Sequence, residues 1–384
     1  MRVLYVSPFP PIRDGIGTYT KLILEALREQ GLQARVIVPR EESLGGPDAL
    51  ALLRPGRREL AALRDAAVAW KPDCIHVQFA VAAFGTRTPA LIRWLRLMRT
   101  TGIPVVITMH EVTRDIGLLG SAGKALYRAL ATKCDRIIVH TQSAFDACVA
   151  DMHVPSANIS VIPHPTATPP VEVVTGEELR NRFGLGTATL LLAFGFIHVD
   201  KGLPDVVAAL RLIRDSGSPS LDSVKLVIAG TVRRRSGVFR LFELRDQIHL
   251  RRTLSLARRS GVDRNIVLAG YVPETEIAGW FRAATAVVLP YRRTEQSGVA
   301  ALANAFERPV LASMVGGLTE LYGKSPWTFP PADPEKLARV LADFLALPAS
   351  EQVPTGEQSS STDLNVVLAA TVDVYHSVAN AVSR

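Results

Sequence analysis

TAVVLPYRRTEQSGVAALANAFERPVLASMVGGLTEL, residues 285–321, decides how this chain is read. An apolar strand over Ala286–Leu289 runs into an exposed polar turn that holds Glu295 and Gly298. A helix over Val299–Phe306 follows, then a second buried strand over Val310–Ala312 and a tight turn at Gly316 and Gly317. Strand, helix and parallel strand in that order make a βαβ unit. In open parallel sheets ligands sit beyond the carboxyl ends of the strands, and helix N-termini attract anions. A phosphate site is therefore expected near 295–300. Ser297 precedes the helix, the amides of Gly298, Val299 and Ala300 open it, and Glu295 stands at the mouth.

The same alternation extends in both directions. Apolar runs at Leu190–Phe194, Lys225–Ala229 and Asn265–Leu268 read as strands, with helices at Leu203–Arg214, Glu243–Ser260 and Glu274–Ala284. Further strands are expected at Val3–Ser7, Ala34–Val38, Cys74–Phe79, Val105–Met109, Arg136–His140 and Ile159–Ile162, and a helix over Tyr19–Gln30 stops at Gly31. PHPTATPPVEVVTGE, 163–177, has four prolines and no periodicity, and reads as a linker. The fold class is α/β: two doubly wound, Rossmann-like domains over 1–166 and 167–361. The polar stretch 351–361 leads to a last helix over 362–384, which docks back on the body because an isolated helix of that length is marginal in water.

The chain has 384 residues, 48% hydrophobic and 21% charged, enough for two cores and typical of a soluble globular protein. Cys74, Cys134 and Cys148 have no metal-ligand spacing and are odd in number, which points to a reduced, cytoplasmic compartment. The apolar run Val3–Val6 is too short for a secretory leader, and no run reaches the roughly 20 residues that span a bilayer. The net charge of +8 is clustered. RTPALIRWLRLMR, 87–99, sets Arg93, Arg96 and Arg99 among Leu91, Ile92, Trp94, Leu95 and Met98. It is either a helix lying on an anionic membrane surface or one that covers a sheet with a solvated basic face. The second cluster, 233–259, suits a phosphorylated substrate or a membrane; aromatics are sparse and no nucleic-acid-binding module is present, so nucleic acid is not expected as a partner.

Other candidate residues lie at strand ends. Gly15 and Gly17 stand where the first strand gives way to a helix, so backbone N–H groups can approach a phosphate. The third glycine of a dinucleotide fingerprint is missing. His110 ends the strand Val105–Met109, where a histidine can orient a sugar hydroxyl, whereas His76 inside a strand reads as packed. In FGFIHVDKGLPDVVAAL, 194–210, the strand ends at Gly195, and Lys201 stands just before a helix, placed to meet a diphosphate. There is no DxD-like acidic pair at a strand end, so no metal and no cofactor is expected, only a nucleotide-diphosphate sugar as co-substrate.

Four ordered segments resemble the retaining glycosyltransferases of family 4, which have the GT-B fold: DGIGTYT (14–20), MHE (109–111), GFIHVDKG (195–202) and the block ending VGGLTE (315–320). The resemblance covers almost the whole chain. It implies sugar transfer from a nucleotide diphosphate with retention of configuration, the donor on the second domain and the acceptor on the first. Gly15 and Gly17 would line the phosphates, His110 would contact the transferred sugar and Lys201 would bind the diphosphate. Glu295 would match the first glutamate of Glu-x7-Glu, with Gly298, Val299 and Ala300 on the phosphate. Asn158–Pro165 resembles the strand before the linker, with His164 where Asn is commoner.

Two positions depart from that pattern. Phe196 replaces an arginine, and Ala303 replaces the second glutamate; an arginine from 233–235 is a candidate to restore the lost cation. The expectation is a metal-independent transferase, and the basic stretch 87–99 favours a glycan or lipid-linked acceptor in cell-envelope or exopolysaccharide synthesis, with the protein peripheral at the inner membrane face. Its rivals are a GT-B epimerase or phosphorylase, and a non-catalytic nucleotide-sugar-binding protein suggested by Phe196 and Ala303.

Overall fold

The computed structural model describes all of the chain except residues 13, 40, 42–47, 166–168, 218, 235–239, 353–361 and 383–384. Arg235 and most of the polar stretch 351–361 therefore lie outside the described residues. The chain divides into two compact units, Met1–Pro165 with Ser360–Arg384, and Thr166–Ser359.

The first unit is built on seven strands: β1 (Arg2–Val6), β2 (Gln33–Val38), β3 (Ala49–Leu52), β4 (Cys74–Phe79), β5 (Val105–Met109), β6 (Arg136–Val139) and β7 (Ile159–Val161). All are parallel, in the order β3-β2-β1-β4-β5-β6-β7. β4 and β5 have no exposed residue, the mark of strands covered by helices on both faces. The order reverses between β1 and β4, so the loops after those strands part and leave a crevice at the carboxyl edge. The C-terminal helix Leu364–Val382 belongs to this unit. Val367, Leu368, Tyr375 and Val378 pack into the core around Val3, Tyr5 and Ile23. The Tyr375 hydroxyl lies 2.7 Å from the Tyr5 hydroxyl and 2.6 Å from His76 Nδ1, and His76 Nε2 meets Thr108 Oγ1 at 2.7 Å. His76 is thus packed and hydrogen-bonded, and burial holds its pKa down to about 3, so it is neutral.

The second unit has β8 (Thr189–Phe194), β9 (Val224–Ala229), β10 (Ile266–Leu268), β11 (Ala286–Leu289), β12 (Val310–Ser313) and β13 (Thr328–Phe329), again all parallel, in the order β10-β9-β8-β11-β12-β13. Its switch point falls between β8 and β11, the strands that lead into Gly195 and Glu295.

The basic helix at 87–99 resolves to Thr88–Met98, and the structure decides between its two readings. Leu91, Trp94, Leu95 and Met98 are fully buried in the first core, while Arg93 and Arg96 are exposed. Its apolar side is already packed on the sheet, so those residues have nothing left to offer a bilayer. Among the described residues no helix is long and apolar enough to cross a membrane.

Candidate functional site

The candidate residues fall on both units. In the first, the helix Gly15–Glu29 follows β1. A Cβ on Gly17 would stand 3.3 Å from the backbone of Pro8, close enough that the loop would have to give slightly, whereas a Cβ on Gly15 would meet nothing within 4 Å. The helix is capped by Asp14, whose Oδ1 accepts from the N–H groups of Ile16 (2.9 Å) and Gly17 (3.3 Å). The cap is 95% buried, leaving a carboxylate where the sequence places a phosphate contact. An anion at Gly15 and Gly17 has to work against that charge.

His110 follows β5 and is 6% exposed. The parallel register pairs Phe79 with Met109 and Met109 with Val139, which brings Gln78, His110 and His140 together. His110 Nε2 lies 2.7 Å from Gln78 Oε1, and His110 Nδ1 lies 3.1 Å from His140 Nε2. His140 Nδ1 is 2.8 Å from the Ile162 carbonyl and must donate to it. Burial, then neighbouring His140, pushes His110 well below the usual imidazole range, and burial takes His140 down to about 3. Both rings are therefore neutral near pH 7. Neutral His140 offers its Nε2 as an acceptor, so His110 Nδ1 carries the proton. His110 Nε2 is then an acceptor, and a half-turn of the Gln78 amide gives it a donor. Tyr19 packs its ring against His110, His140 and His164, at 5.1, 5.6 and 4.8 Å between centroids. Both nitrogens of His110 are engaged inside this unit, so a sugar hydroxyl would have to displace Gln78 or His140.

In the second unit the switch point gathers the candidates. Gly195 has φ +93°, and a Cβ on it would come within 3.6 Å of Val299 Cγ2, so the turn after β8 faces the start of the helix Gly298–Ala305. Ser297 caps that helix by accepting from the Ala300 N–H at 3.2 Å. The Gly298 and Val299 amides remain at its first turn, pointing out of the N-terminal end as helix geometry requires. Lys201 closes the short turn Val199–Lys201; its Nζ donates to the Tyr291 hydroxyl at 2.5 Å and lies 4.0 Å from the Tyr291 ring centroid. Gly202, at φ +64°, lets this turn abut the end of β11, since a Cβ would stand 1.8 Å from the Pro290 carbonyl oxygen. Arg292 anchors the same corner with a two-pronged bond to Asp205 at 2.6 and 3.0 Å.

Glu295 departs from its expected place. The polar run around it reads as an exposed turn, yet Glu295 has no exposed surface. The turn after β12 closes on it: the Gly317 N–H donates to the Glu295 carbonyl at 2.9 Å, and Gly316, at φ +48°, sits where a Cβ would be 2.0 Å from the Thr294 carbonyl oxygen. Ala303 is fully buried in the second unit's core with Leu289 and Tyr322, so that position has no polar group to offer a ribose. Phe196 has a different neighbour. Ile197 and Val232 form an isolated parallel bridge, and the Arg233 guanidinium stands over the Phe196 ring, 5.5 Å from its centroid.

Sequence reasoning singled out Lys201 but passed over Tyr291, which seats it, and Gln78 and His140, which hold His110. Among the described residues no group of three or more His, Cys, Asp or Glu is arranged to hold a metal ion.

Two parallel-sheet, Rossmann-like units, each with glycine turns at its switch point, are the architecture of GT-B proteins, and solved structures of that fold superpose on the chain. Alr3699/HepE of Anabaena, in complex with UDP and glucose, aligns with a TM-score of 0.76 over 98% of this chain and 100% of that one at 14% identity. Sucrose-phosphate synthase from Thermosynechococcus elongatus aligns at 0.75 over 99% and 100%, at 18% identity. The sequence profile described as Glycosyltransferase Family 4 matches residues 13–168, and that of Glycosyl transferases group 1 matches residues 188–346. The chain belongs to these family 4, group 1 glycosyltransferases. Among curated relatives, D-inositol 3-phosphate glycosyltransferase 1 of Catenulispora acidiphila is 28% identical over 65% of this chain and 60% of its own length. The D-inositol 3-phosphate glycosyltransferase of Thermobispora bispora is 27% identical over 66% and 59%. The chain spans about three fifths of the length of these relatives.

Proposed function

We propose that this protein is a retaining, metal-independent glycosyltransferase that moves a sugar from a nucleotide diphosphate to an acceptor. The observation that carries the reading is the convergence of Gly195, Lys201 and the first amides of the helix Gly298–Ala305 on one switch point. Negative charge grows on the leaving diphosphate as the sugar departs, so fixed N–H groups and a lysine stabilise the transition state more than the ground state. Within that reading Glu295 is assigned to the donor sugar and His110 to the transferred sugar. The acceptor is a glycan or lipid-linked group of the cell envelope or an exopolysaccharide, handled in the cytoplasm. The names of the curated relatives add D-inositol 3-phosphate to the acceptors worth offering.

The test is a panel of UDP- and GDP-sugars offered to the purified protein in the presence of a chelator, scoring binding and slow nucleotide release. One donor is expected to bind and turn over, and Glu295→Ala is expected to lose that turnover while the protein stays folded. Absence of binding by any donor would transfer the reading to a non-catalytic GT-B protein, the alternative that buried Ala303 favours.

Arg233 takes the place of the missing strand-end cation in this reading. Stacked on Phe196, it is held beside Gly195 at some gain from the cation–ring attraction, which runs to about 0.5–2 kcal/mol. Arg233→Ala is expected to weaken donor binding by roughly tenfold, the effect of losing about 1.4 kcal/mol, and the double variant Phe196→Arg/Arg233→Ala is expected to recover most of it. Calorimetric titration with UDP decides the matter, and equal affinity of wild type and Arg233→Ala removes the role.

A further inference from the structure

The helix Arg240–Arg259 is the longest described in the chain, and its two sides differ in an unusual way. Its fully buried residues, Asp246, Thr253 and Ala257, share one face. The opposite face is where a helix packed on a protein body ordinarily turns polar. Here it exposes Leu241 (73%), Leu244 (52%) and Ile248 (38%), spaced i, i+3 and i+7; Phe242 (41%) lies on the Asp246 side, under the Arg245 guanidinium. Toward the C-terminus the same stripe continues as exposed Arg251, Arg252 and Arg259. Arg240, Arg245 and Arg258 are also exposed. The acidic residues of the helix are Glu243 and Asp246, and Asp246 is buried against Arg245.

Single exposed hydrophobics need no explanation, but three at helical spacing along one stripe, merging into a run of arginines, form a patch. We propose that this face of the second unit docks the protein on an anionic lipid bilayer. Leu241, Leu244 and Ile248 enter the boundary between headgroups and acyl chains, and Arg251 and Arg252 meet the lipid phosphates. Charge decides the kind of surface, since six arginines against two carboxylates, one of them buried against Arg245, are drawn to an anionic surface and gain nothing from a neutral one. Shape favours lipid over a protein partner. Protein hot spots are aromatic or arginine anchors set into pockets, whereas this stripe is a single convex helix with no aromatic residue on it. The proposal also moves the membrane contact away from Thr88–Met98, whose apolar side is in the core.

The experiment is co-sedimentation of the full chain with vesicles of phosphatidylcholine alone and of phosphatidylcholine mixed with phosphatidylglycerol. Wild type is expected to bind the mixed vesicles, to leave the neutral ones in solution, and to release in high salt. Leu241→Glu/Leu244→Glu/Ile248→Glu is expected to abolish binding, and Arg251→Glu/Arg252→Glu to weaken it by roughly tenfold or more. Circular dichroism checks that each variant is folded. The milder Leu241→Ser, at a side chain already mostly in water, keeps the test valid should the triple variant unfold. No binding of wild type to mixed vesicles overturns the proposal, as does binding that survives both sets of changes. So does binding lost only in Arg93→Ala/Arg96→Ala/Arg99→Ala, or a wild type that self-associates through Leu241 and ignores vesicles. None of these results depends on which sugar the protein transfers.

Discussion

Lys201→Ala is expected to slow nucleotide release from the accepted donor by about 10²–10³-fold, the usual cost of removing one preorganised charge-stabilising group from a transfer site. The size follows from how firmly the ammonium is seated. Gly202 lets the turn press on the Pro290 carbonyl, which fixes the lysine backbone at the end of β11. The Tyr291 hydroxyl and ring then fix the side chain, and Tyr291 itself is only 4% exposed. An ammonium already in place needs no reorganisation when charge develops on the diphosphate. The loss should therefore fall mainly on kcat. Lys201→Arg should not rescue, because a planar guanidinium does not fit a seat built for a compact point charge. Tyr291→Phe keeps the ring and loses the hydroxyl, so its effect should be smaller. A Lys201→Ala protein with full turnover and a raised KM alone would mean that the lysine binds donor and transition state equally, and full turnover with unchanged KM would remove it from the site.

Most of the strands were legible because strands covered on both faces are unbroken apolar runs. Cys74–Phe79, Val105–Met109 and Ala286–Leu289 stand where that pattern places them. Two of the four outer strands escaped it, β3 and β13, four and two residues long, whereas β7 and β10 at the other ends, three residues each, stand within the runs Ile159–Ile162 and Asn265–Leu268. The helix expected from Glu243 begins at Arg240. Leu241 lies on its solvent side, so periodicity aimed at a core gives no reason to start the helix before Glu243.

The candidate site was legible as chemistry and illegible as environment. Strand ends, glycines and a lysine can be read along the chain. Whether a group near them is buried depends on what another strand brings. Glu295 lies in a run of Tyr, Arg, Thr, Gln and Ser that is polar by composition, and the turn from β12, some twenty residues on, covers it. His110 has the same history. Its partners Gln78 and His140 are 32 and 30 residues away in sequence, and they become neighbours only because β4, β5 and β6 lie side by side in register. Asp14 differs, since an aspartate before Gly15-Ile16-Gly17 is a recognisable helix cap. Read that way, it already warned that the loop's amides were claimed.

Gly316→Ala is the change expected to separate the fold of the second unit from the work of Glu295. Gly316 combines φ +48° with ψ −137°, a region that only glycine enters without strain, and its missing Cβ is replaced by the Thr294 carbonyl oxygen at 2.0 Å. An alanine fits only if the turn lifts, and lifting breaks the Gly317 N–H bond to the Glu295 carbonyl. Backbone strain of this kind costs about 1–3 kcal/mol, and a domain of this size loses about 2–4 °C of Tm per kcal/mol, so the variant should melt several degrees lower and remain folded at room temperature. Donor turnover should fall further than stability accounts for, toward the level of Glu295→Ala, because the carboxylate is no longer clamped. Gly117→Ala is the matched control. That glycine lies in the helix Val112–Leu119, a Cβ on it meets nothing within 4 Å, and the change should leave Tm the same or higher. Thermal melts and nucleotide release measured together settle the question. A Gly316→Ala protein with wild-type Tm and wild-type turnover would mean that the β12 turn does not hold Glu295 in place. A lower Tm with turnover intact would mean that it holds the fold and nothing more.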